Sequence, residues 1–178
     1  KEDFAFFAAW NLAPLSQLHL IRGSGVDVEK FMPVANMVSP PVIVQTSRMV
    51  GDKGVREFIA AARLVRRQYP QARFHLVGGP YPGNPSAISE AELRAAESDG
   101  IVTWHGHQQD VLPFLRQATI YCLPSYREGL PKALIEAAAC GLPLVTTDTS
   151  GCREVVTNED NGLLVPVADT AALAAALL

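Results

Sequence analysis

Val42-Ile43-Val44-Gln45-Thr46, then the stretch from Val55 to Tyr69, then Arg73-Phe74-His75-Leu76-Val77 follow one another in the first half of the chain. The outer two are short β-branched and apolar runs. Between them Val55, Phe58, Ile59, Ala62, Val65 and Tyr69 recur at helical spacing. Arg63, Arg66 and Arg67 fall near the end of that helix, where cations complement the negative pole of its dipole. Strand, crossover helix and strand in this order form a βαβ unit, which lays its two strands parallel in one sheet.

The same alternation continues outward. Ile101 to Trp104, Thr119 to Leu123, Leu142 to Thr146 and Gly162 to Val165 bring the predicted strands to six. Ser89-Glu90-Ala91-Glu92 reads as a capping box opening a second helix, and Asp110 to Gln117 gives a third. Pro131 at a first helical turn starts a fourth, which stops at Cys140 before Gly141, and Asp169 caps the last. Gly78 to Ala87 contains three Gly and three Pro and is a loop. The pattern predicts an α/β fold, a Rossmann-like three-layer sandwich on a six-stranded parallel sheet. In such a sheet ligands sit beyond the carboxyl ends of the strands. Residues 47–53, 78–82, 105–109, 124–131 and 147–151 are therefore the ones to question.

Before this region, Phe4 to Trp10 is an apolar stretch with three Phe and one Trp. It reads as a helix packed in a core. Contact with a membrane surface is the weaker alternative, because the Lys/Arg face such helices carry is missing. Residues 33–41 resemble a linker, which sets residues 1–32 apart from residues 33–178. The chain opens in mid-pattern and stops inside the helical run 170–178, so it is expected to be a fragment truncated in its last helix.

Composition narrows the function classes. A chain of 178 residues, 48% of them hydrophobic, can bury a sizeable core. Its formal charge of −3, with no basic run, argues against nucleic acid as a partner. Three cysteines give neither an even disulfide framework nor a C-x-x-C pair. With no apolar run of transmembrane length and no secretory leader, a cytoplasmic location is expected.

The residues with chemistry cluster after the strands. Pro131 leaves Glu128 in the loop before a helix and puts Glu136 in its second turn, so two carboxylates flank one helix N-terminus. Unpaired N–H groups and the positive dipole end make that terminus an anion site, and Gly129 has no side chain to keep an anion away. Glu136 could be a surface residue paired with Lys132. Its helix, however, is apolar on nearly every side, and a buried carboxylate needs a partner such as a hydroxyl-rich ligand. Arg48 and Lys53 stand between the first strand and its helix. A lysine at a helix N-terminus faces the positive end of the dipole, a misplacement that a bound anion would reverse. Two solvated surface cations are the plainer alternative.

His105-Gly106-His107 suggests a metal only weakly, because no further ligand lies nearby at ligand spacing; the lining of a ligand pocket or a plain loop fits better. His19 and His75 fall in apolar strand-like runs and read as structural. Asp148 and Glu154 either line the site or cap a short helix. No G-x-G-x-x-G fingerprint and no nucleophile triad can be assembled, and Cys140 and Cys152 read as small buried hydrophobes.

Taken together, Gly25-Val26-Asp27, Lys30-Phe31-Met32-Pro33, Arg48 with Lys53-Gly54, Gly78-Gly79-Pro80 and Pro124-Ser125 precede Glu128 to Glu136 with its E-x7-E spacing and Gly141-Leu142-Pro143-Leu144-Val145. In order and spacing they resemble the C-terminal domain of GT-B glycosyltransferases of family 4, a retaining group. The resemblance implies one half of a GT-B fold, with residues 1–32 the remnant of an N-terminal acceptor domain and its connection, and residues 33–178 the nucleotide-sugar-binding domain. It implies that Arg48 and Lys53 bind the donor diphosphate and that the backbone of Gly129 and Leu130 helps. Glu128 would contact sugar hydroxyls, and these three side chains would serve the reaction itself. Glu136 would hold the ribose, Gly79 would join the donor site, and the stretch around His107 would border the nucleobase.

No metal and no other cofactor are implied. The donor, with UDP favoured, is the substrate. Same-face attack by the acceptor, with the leaving phosphate as base, would need no protein nucleophile. A glycan or lipid-linked acceptor of bacterial surface polysaccharide synthesis would reach the site through the missing domain, with peripheral membrane contact of the full-length protein, and the piece alone would transfer little. A GT-B UDP-sugar epimerase or a non-catalytic nucleotide-binding module are the alternatives.

Overall fold

The computed structural model describes residues 2–21, 23–33 and 39–178. After helix α1 (Glu2–Ala9) the chain runs β1 (Val42–Thr46), α2 (Val55–Gln68), β2 (Arg73–Val77), α3 (Glu90–Ser98), β3 (Thr103–Trp104), α4 (Leu112–Gln117), β4 (Ile120–Leu123), α5 (Lys132–Ala139), β5 (Leu144–Thr147), α6 (Ser150–Arg153), β6 (Gly162–Val165) and α7 (Thr170–Ala176). All six strands pair parallel, in the order β3-β2-β1-β4-β5-β6. The order reverses between β1 and β4, and loops leaving two strands in opposite directions open a crevice there.

Two cores make the three layers. Ile43 packs with Phe58, Ile59, Val65 and Leu173 under α2 and α7, whereas Val44, its neighbour on the pleat, packs with Leu115, Leu134 and Ala137 under α4 and α5. Every residue of β1 is buried, as expected of a central strand in a doubly covered sheet. Ser89 accepts a hydrogen bond from the Glu92 amide, and Asp169 one from that of Ala172, so both N-caps form, but the Glu92 carboxylate pairs with Arg56 instead of closing the predicted capping box.

The strand ends depart from expectation where helices close. Gly141 and Leu142 donate to the carbonyls of Ala138 and Ala137 to terminate α5, and Pro143 has no N–H, so β5 starts at Leu144 rather than Leu142. Ile101 likewise gives its N–H to Ala96, which shortens the edge strand β3.

The predicted N-terminal helix forms, but its burial does not: Phe6 is 52% and Trp10 68% exposed, with their rings against each other. His19 is exposed and outside any strand, contrary to a structural role. Of the predicted linker, residues 34–38 lie outside the described residues. Phe31, just before it, is buried in the core beneath α4 and α5, and Lys30 reaches Asp110 at 3.1 Å. Among the described residues no helix is long and apolar enough to cross a membrane.

Candidate functional site

A cleft of about 310 Å³ opens at the carboxyl edge of the sheet, lined by Arg48, Gly79, His107, Gln108, Lys132 and Glu136 among others. Its size suits a small molecule. A larger depression of about 460 Å³ lies by Leu144 and Gly162, at the opposite, amino edge, away from the predicted residues. Arg48, Gly79, His107 and Glu136, four of the eight predicted site residues, therefore share one cleft. The Arg48 guanidinium carbon lies over the Tyr81 ring, 4.6 Å from its centroid, which braces the guanidinium.

Glu136 faces this cleft from the second turn of α5. Burial pushes its carboxyl above the usual range, Lys30 and Lys132 pull it back, and Lys132 is the only cation within 4 Å among the described residues, at 3.9 Å. For Glu136 the surface ion pair and the buried carboxylate are rival expectations. The structure has Glu136 with its side chain 14% exposed and only a loose pair, so most of its hydrogen-bonding capacity is unused. Pro131 sits one position earlier than expected, in an extended conformation before the helix, and its carbonyl takes the amides of Leu134 and Ile135. The first amides of α5 thus remain for a ligand.

Glu128 and Lys53 do not line this cleft. They face each other between the loops that follow β1 and β4, with Lys53 Nζ 2.5 Å from Glu128 Oε1. The lysine misplaced at a helix N-terminus is thus already compensated by a carboxylate of the protein itself. Ser125 Oγ donates to the same Oε1 at 2.6 Å, and the Tyr126 amide donates to the Asp52 carbonyl at 2.9 Å, lacing the two loops together.

Gly54 permits that approach, and Gly151 lets α6 close on the loop before α5. Gly54 has φ +67°, and a β-carbon there would overlap the Pro124 carbonyl; one on Gly151 would come within 2.5 Å of the Gly129 oxygen and still nearer that of Glu128. Gly129 itself is exposed, with open space where a β-carbon would go, whereas the Leu130 side chain packs against Gly23.

Sequence reasoning missed Gln45. It is fully buried in β1 and its amide donates to the Lys53 carbonyl at 2.8 Å and to Ser47 Oγ at 3.1 Å, fixing the turn that carries Lys53. Its Oε1 is buried with no hydrogen-bond partner among the described residues, an energetic cost in the turn that carries Lys53. A polar residue inside Val-Ile-Val-Gln-Thr was the signal available. Asp148 does not cap α6; it pairs with Arg153 at 2.5 Å. His105 turns inward onto His75, with Nε2 and Nδ1 3.0 Å apart, while His107 is exposed at the cleft. Among the described residues no group of three His, Cys, Asp or Glu could hold a metal ion.

The model of the group 1 glycosyl transferases matches residues 40–178, the whole of the sheet domain just described. The chain belongs to this family. It is 32% identical over 161 residues to the N,N'-diacetylbacillosaminyl-diphospho-undecaprenol alpha-1,3-N-acetylgalactosaminyltransferase of Campylobacter jejuni, covering 83% of this chain and 41% of that one. It is 31% identical to the amylovoran biosynthesis glycosyltransferase AmsK of Erwinia amylovora, covering 93% and 42%. Among solved structures, a TarM variant of S. aureus in complex with UDP and alpha-GlcNAc-glycerol superposes with a TM-score of 0.80 at 19% identity, covering 97% of this chain and 34% of that one. The group 1 chain thus spans about two fifths of the length of these curated relatives, and the six-stranded parallel sandwich is a fold it shares with GT-B glycosyltransferases.

Proposed function

We propose that the chain is the donor-binding domain of a retaining, metal-independent glycosyltransferase of family 4 that takes a UDP-sugar and serves the assembly of a bacterial surface polysaccharide. The observation that carries this is the grouping around the N-terminus of α5: a largely buried, under-partnered Glu136 inside it, Glu128 before it, and the cations Arg48 and Lys53 across the crevice. Residues 33–178 form this domain, and residues 1–32 are the end of an acceptor domain with its connection.

The diphosphate lies against the free amides of α5, with Arg48 as a forked donor and Lys53 as a point charge; together they stabilise the charge that develops on the leaving group. The backbone of Gly129 and Leu130 completes the anion site. Glu136 accepts hydrogen bonds from the ribose hydroxyls, Glu128 from the sugar, and Gly79 and His107 border the base. The acceptor is a glycan or a lipid-linked glycan. The relatives' names support this, being those of a transferase acting on an undecaprenyl-diphosphate-linked sugar and of an amylovoran enzyme. The TarM complex with UDP supports the nucleotide.

Calorimetric titration with UDP, GDP and ADP, in magnesium and in EDTA, tests the reading. UDP is expected to bind best and equally in both. A chain that binds none of the three in either buffer overturns it, and binding that needs magnesium overturns the metal-independent part.

A further inference from the structure

Glu128 is bound unevenly. Its Oε1 takes both donors, the Lys53 ammonium at 2.5 Å and the Ser125 hydroxyl at 2.6 Å, while no described residue donates to Oε2. The two donors differ in kind. Lys53 ends a flexible stem and, on the reading above, is attracted to the diphosphate. Ser125 is fully buried two residues after β4, and its carbonyl is held by the Thr147 hydroxyl at the end of β5, so the backbone that carries its Oγ is fixed to the sheet. When phosphate draws the ammonium away, the serine hydroxyl is the donor that stays.

We propose that Ser125 is a positioning residue: by pinning Glu128 through Oε1 it presents Oε2 alone to one hydroxyl of the donor sugar, and so sets affinity for the sugar portion and not for the nucleotide. This rests on the assignment of Glu128 to the sugar. A hydroxyl-to-carboxylate bond is charge-assisted and directional. Without it, a carboxylate only 9% exposed is left with the lysine alone to orient it, and must give up either that bond or its aim. Specificity follows from the same geometry, since one free oxygen reads one hydroxyl where an unpinned carboxylate could take two.

The test is a double-mutant cycle on this chain. UDP and UDP-glucose are titrated calorimetrically into the parent, Ser125→Ala, Glu128→Gln and the double variant, and the ratio of the two Kd values gives the sugar increment. Ser125→Ala is expected to cut that ratio by about five- to tenfold while the Kd for UDP moves by less than about twofold, and the double variant is expected to match Glu128→Gln. A ratio in Ser125→Ala equal to the parent's overturns the proposal, as does equal weakening of UDP and UDP-glucose, which is what a merely structural role predicts. If Glu128→Gln leaves the ratio unchanged, the sugar assignment falls and this proposal with it; if only Ser125→Ala does, the proposal falls alone. Failure of the parent to bind UDP overturns the functional reading first.

Discussion

At Glu136 one side chain sets stability against binding. Burial holds its carboxyl above the range it has in the unfolded chain. The folded state therefore binds a proton more readily than the unfolded one, and its stability falls as pH rises through the window between the two values. Glu136→Gln removes that charge. It is expected to raise the unfolding free energy at pH 8 by about 1 kcal/mol while weakening UDP binding about tenfold. Denaturant melts and calorimetry measure the two, and a variant that loses both stability and binding makes Glu136 a structural residue.

Across the crevice, Lys53 is paired with Glu128 before any ligand arrives. Neutralising the carboxylate makes the anion site more positive. Glu128→Gln should therefore tighten UDP by a few-fold at low salt, an advantage that shrinks by 0.5 M salt as screening sets in. Unchanged or weaker UDP binding at low salt would show that the carboxylate does not oppose the phosphate. The E-x7-E spacing was legible in the chain; the ion pair across 75 residues was not, because nothing local in either loop reports its neighbour.

Among the elements, the two loops that build the site are joined backbone to backbone. Gly54 ends a short 3-10 turn, Gly51–Lys53, in a left-handed conformation and lies against the Pro124 carbonyl. Gly54→Ala is expected to cost about 2–4 kcal/mol and to separate Lys53 from Glu128, read as a lowered melting temperature with loss of UDP binding. A variant with parent stability would contradict the close approach. The helices were legible as elements because 3.6-residue periodicity and capping boxes are local, and Ser89 and Asp169 do cap as their types suggest. Strand ends at Leu144 and Thr103 were not, because they depend on how a preceding helix spends its neighbours' amides.

Over the whole molecule, the His75–His105 pair ties β2 to the loop that follows β3. Burial depresses both imidazoles; His105 and Arg73 lower His75 further, and Glu97 partly offsets the effect on His105. Depressed histidines contribute stability that is full above the unfolded value near pH 6.5 and is lost as pH falls toward the folded values. Melting temperature should thus drop below about pH 6.5, and His75→Gln should flatten that part of the profile. A parent profile without the drop, or a variant that keeps it, would assign acid sensitivity elsewhere.

The chain alone determined the sheet's six strands, its crossover helices and the loops to question, because hydrophobic period, caps and turns act over a few residues. Only the tertiary structure decided that the strand order reverses between β1 and β4, that Gln45 and Ser125 lie beneath Lys53 and Glu128, and that the aromatic face of α1 is uncovered. Each of these depends on which distant segments meet, and that is settled by packing two cores on one sheet rather than by any local preference.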